Sequence, residues 1–95
     1  MQPVPVAKGY LHRIKEEFIR PLRDGKPVDP QHVADTIADC RAITVHGRPS
    51  PRTVAKWQRL LHAVVIELVK NKYVEGTAAI RLADNVDKLQ PTPSL

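Results

Sequence analysis

Leu11, Ile14, Phe18 and Leu22 recur at intervals of three and four residues, the spacing that keeps apolar side chains on one face of an α-helix. They predict a first helix from about Val6 to Arg20. Arg13 with Glu17, and Glu16 with Arg20, form i,i+4 ion pairs on its outer side, each worth a few tenths of a kcal/mol. Pro21 is expected to limit this helix, and Arg23 to Pro27 reads as a loop. A second helix starts where Asp29 can cap and Pro30 can occupy the first helical position. Val33, Ile37 and Cys40 give it a short apolar face that ends near Arg41. Ala42 to His46 gathers β-branched residues without helical spacing and predicts an extended connector, closed by Gly47-Arg48-Pro49.

The third helix has the strongest pattern. Ser50 caps it, Pro51 lies in its first turn, and nothing interrupts it before about Asn71. Val54, Trp57, Leu61, Val64 and Leu68 fall on one stripe, while Arg52, Lys56 and Arg59 share the opposite one and Lys70 returns to it. Its second half, Val64 to Val69, is apolar on several sides and needs more than one neighbour to cover it. After Gly76, Thr77 is expected to cap a fourth helix reaching about Leu89, with Leu82, Val86 and Leu89 inward. The pattern therefore predicts an all-α domain of four helices over residues 6–89. A flexible segment is expected at 1–5 and a disordered tail at 90–95.

Composition sharpens this picture in two places. Only four of the 95 residues are aromatic, so the core must be built mainly from Val, Ile, Leu and Ala. The net charge of +5 is unevenly placed: seven basic residues between Arg41 and Lys72 face Glu67 alone, leaving −1 for the remainder. Such segregation predicts a positively charged face. Cys40 is the only cysteine, which excludes an internal disulfide and a Cys-rich zinc site. Residues 1–6 lack the basic start and apolar run of a signal peptide, and no apolar stretch approaches the length of about 20 residues needed to span a bilayer. The expectation is an intracellular, cytoplasmic protein without a membrane partner.

No pattern in the chain points to catalysis. The four glycines stand apart, so no phosphate loop is formed, and no nucleophile elbow or His-Glu metal pair occurs. His12, His32, His46 and His62 lie on different elements without ligand spacing, and Cys40 reads as a small core residue. No enzyme activity, metal or cofactor is expected.

Ser50 to Leu61, in contrast, resembles the recognition helix of helix-turn-helix DNA-binding domains. A capped start, small polar and basic residues, and a buried Val followed three residues later by a Trp carry the resemblance. It implies that the N-terminal part of this helix enters a major groove, with Arg52, Lys56 and Arg59 at bases or phosphates and the second helix in support. The connector from Ala42 to Pro49 departs from the usual turn of three or four residues. A helical dimer carrying two basic stripes along duplex DNA or RNA would use the same cations without that geometry. Arg48, Arg52, Lys56 and Arg59 are thus the candidate nucleic-acid contacts, in a regulatory protein expected to form a homodimer. The rival reading is a protein-binding adaptor or inhibitor for an acidic partner, docking through the apolar face around Val64 to Val69.

Overall fold

A computed structural model describes residues 6–46 and 49–89. The expected flexible segment at 1–5, the tail at 90–95, and Arg48 lie outside the described residues. Within them the chain is all-α, with no strand. Val6–Ile14 (α1), a π turn at Lys15–Ile19 and Arg20–Arg23 (α2) make one continuous first rod, since Ile14, Ile19 and Arg20 all keep right-handed helical dihedrals. Three further helices follow: Pro30–His46 (α3), Pro51–Lys70 (α4) and Thr77–Asp87 (α5). No helix among the described residues is long and apolar enough to cross a membrane.

Pro21 does not end the first rod. A proline inside an α-helix clashes with the carbonyl four residues back and leaves it unpaired. The π turn just upstream changes that register, and the Arg20 N–H bonds to the Lys15 carbonyl, five residues back. The rod stops instead at Gly25, where φ is +76°. There the Gly25 N–H donates to the Leu22 carbonyl at 3.2 Å and the Lys26 N–H to the Pro21 carbonyl at 2.8 Å, a Schellman closure. Val28, buried in the following loop, seals this end of the core.

Helix α3 begins as expected, with Asp29 Oδ1 accepting from the Gln31 N–H at 3.0 Å. Its other end corrects the extended connector. Ala42 to His46 are helical, because Ile43 packs against the core and the Thr44 hydroxyl donates to the Cys40 carbonyl at 2.9 Å. Packing overrides the modest helical penalty of β-branched residues. A smaller correction falls on α5. Gly76, not Thr77, takes its cap, with φ +61° and ψ −133°, a conformation open to glycine alone.

Helix α4 is the central element and touches every other helix. Val54, Trp57, Leu61, Val64 and Leu68 are completely buried, each side chain contributing about 1.5–3 kcal/mol of apolar burial. Around them lie Ile14 and Phe18 from the first rod, Val33, Ile37 and Cys40 from α3, and Leu82, Val86 and Leu89 from the C-terminal helix and its exit. This arrangement explains the broad apolar surface of the second half of α4. Neighbours within the same chain cover Val64, Val65 and Leu68, leaving Ile66 and Val69 exposed. The helix closes on another Schellman pair, Lys72 N–H to the Val69 carbonyl at 3.0 Å and Tyr73 N–H to the Leu68 carbonyl at 2.9 Å. Lys72 holds the left-handed position with φ +60°.

Candidate nucleic-acid interface

Ser50 is extended (φ −62°, ψ 149°), and its Oγ accepts from the Thr53 N–H at 3.2 Å, so α4 starts on a fixed cap. From that start the helical period sends Val54 and Trp57 inward and Arg52, Lys56 and Arg59 outward. Trp57 pins this turn to α1, where the Tyr10 ring meets it edge-on at 6.2 Å between centroids. Its indole N–H is buried without an acceptor among the described residues, at a cost of about 1–3 kcal/mol. Arg52, Lys56 and Arg59 are all exposed, and none forms an ion pair with a described carboxylate.

The structure then brings the two C-terminal members of that stripe to an open groove. Lys56, Arg59 and Leu60 of α4 face Leu11 and Lys15 of the first rod across a recess of about 240 Å³. At Lys15 and Leu60 it meets a larger one of about 410 Å³, bounded by Glu16, Ile19, Arg20, Arg23 and Asp24. Five cations thus surround a floor of Leu11, Ile19 and Leu60, against two carboxylates. One of these, Glu16, is already held by Arg20 at 2.9 Å. Arg52 stands on the first turn of α4 and does not line the groove.

Lys15, Arg20 and Arg23 did not emerge as site residues from the sequence. Lys15 and Arg23 carry no motif, and Arg20 reads as the partner of Glu16. Their approach to Lys56 and Arg59 depends on how the first rod packs on α4, which periodicity within one helix does not reveal. The connector before α4 also changes its meaning. With α3 extended to His46, only residues 47–50 separate it from α4, a length within the range of helix-turn-helix turns.

Three other reactive side chains are engaged elsewhere. Burial pushes the Cys40 thiol up to about 12, so it stays protonated at neutral pH and packs as an apolar group. His32 Nε2 stands 2.6 Å from Glu17 Oε1, and His62 Nε2 stands 2.8 Å from Asp87 Oδ1, at two different inter-helix seams. What the site offers is unpaired positive charge on two walls of a groove, suited to holding a chain of anions. The chain matches no protein-family model, no curated protein and no solved structure.

Proposed function

We propose that this protein is a non-enzymatic regulator that binds the phosphate backbone of duplex DNA or RNA through the basic side of α4. The observation that carries the reading is the groove whose walls place Lys56 and Arg59 opposite Lys15, with Arg52 continuing the charge along α4. Duplex is favoured over single strands by the placement of the aromatic rings. Trp57 and Phe18 are buried, Tyr10 is half-buried against Trp57, and Tyr73 lies beyond the far end of α4. Single-strand binders stack bases on exposed rings beside their cations, and this surface has none to offer.

The experiment is a titration against duplex DNA, duplex RNA and single strands at several salt concentrations. Each phosphate contact contributes about 0.9 to the slope of log affinity against log salt for duplex DNA. Replacing Arg52, Lys56 and Arg59 together with Ala should lower the slope by roughly 2 to 3 and weaken all sequences alike. All three side chains are exposed and Ala favours helix, so the variant should stay folded. A folded triple variant that binds as the wild type does would overturn the assignment. Absence of binding at low salt would redirect the search to an acidic protein partner.

A further inference from the structure

Two rods packed side by side leave a valley between them, and a valley receives a ridge. The first rod and α4 pack directly, with the Tyr10 ring edge-on to Trp57 at 6.2 Å between centroids. Lys15 and Arg23 lie on one slope of their valley, and Lys56 and Arg59 on the other. Axes of packed helices stand about 8–10 Å apart, so cations on opposite slopes reach the same row of anions. The first-rod slope runs from Leu11 to Asp24, about 20 Å at about 1.5 Å per residue. Along it, five cations against two carboxylates leave an excess of three positive charges.

A duplex offers two kinds of relief, its grooves and the sugar-phosphate strands that separate them. The major groove, about 12 Å wide, receives a single protruding helix. Helix α4 does not protrude where Lys56 and Arg59 stand, because the first rod flanks it there. Two packed rods, each about 10–12 Å across with side chains, are together too wide for a groove of about 12 Å. The complementary relief is the strand.

We propose, resting on the duplex-binding reading, that the valley takes one phosphodiester strand of the duplex, with both slopes contacting phosphates of that same strand. The opposite strand stays outside. Base edges open into the grooves and not onto the ridge, so the grip is blind to sequence. Pairing helps because a strand within a duplex is already extended, whereas a free strand must first be ordered.

Short duplexes in which one strand carries methylphosphonates, with a methyl group in place of the charged oxygen, test this on the full chain. Such a duplex keeps one charged ridge and therefore every contact. Each contact then contributes about 0.7 rather than about 0.9 to the salt slope, because the charge density is that of one strand. The slope should hold at about three quarters of its unmodified value, whichever strand is neutralised. Contacts straddling both strands would lose half their phosphates and bring the slope to about two fifths. A slope of half or less overturns the single-strand grip while leaving duplex binding in place. An unmodified duplex that stays unbound at low salt overturns the grip and the duplex reading together.

Discussion

Glu17 receives two partners from different directions, His32 Nε2 at 2.6 Å and Arg13 Nε at 3.0 Å. The His32 bond is the main reason its carboxyl is held below the ordinary value of 4.5, with Arg13 adding to it and partial burial opposing. A carboxylate lowered on folding stabilises the native state above its unfolded pKa, and that stability is lost as pH falls through the folded value. Unfolding midpoints should therefore decline as the solution is acidified below about 4.5, and Glu17→Gln should flatten that decline while lowering stability at neutral pH. Half-exposure of the pair keeps the effect modest. Identical pH dependence in the variant and the wild type would refute it. At this scale the sequence was most legible: every inward residue named on α4 is buried, because helical spacing alone fixes a face. Val28 and Val74 were not legible, since each is a lone apolar residue in a loop and only the assembled core gives it a place.

Among elements, the helix bodies followed from periodicity and the helix ends did not. Pro21 and the β-branched run at 43–45 both signal interruption when read locally. Yet the π turn accommodates the first, while core contact of Ile43 and the Thr44 hydroxyl accommodate the second. Ends are also where the backbone is most constrained. Lys72 occupies a left-handed position that costs an L-residue about 1–2 kcal/mol, so Lys72→Gly should raise stability by about 1 kcal/mol. Gly76→Ala should have the opposite effect, costing about 1–3 kcal/mol through backbone strain. A Cβ there meets nothing within 4 Å, so no clash contributes. Denaturant midpoints test both changes, and a Lys72→Gly protein no more stable than the wild type would contradict the Schellman closure of α4.

For the molecule as a whole, the groove is a product of packing between stretches of chain some forty residues apart, which is why only its α4 wall was visible in the sequence. If the first rod supplies a true second wall, Lys15→Ala with Arg23→Ala should lower the salt slope of duplex binding by roughly 1 to 2. That loss should appear although neither residue lies on the basic helix. A double variant with an unchanged slope would confine the contact to α4. Lys56, Arg59 and Leu60 of α4 line the groove, while Gln58 and His62 on another side of the same helix hold the end of α5.

The π turn in the first rod has a bearing on that groove. Each residue of an α-helix advances the chain by about 100° around its axis, so a turn holding one surplus residue changes the compass bearing of everything after it. Arg20 and Arg23 point where they do because that surplus is present. A lineage that lost one residue between Lys15 and Ile19 would keep the same amino acids downstream but swing both guanidinium groups about a quarter-circle from Lys56 and Arg59. It would also return Pro21 to a register in which its ring is resisted. Deletions in this stretch should thus be tolerated far less well than substitutions at its exposed positions.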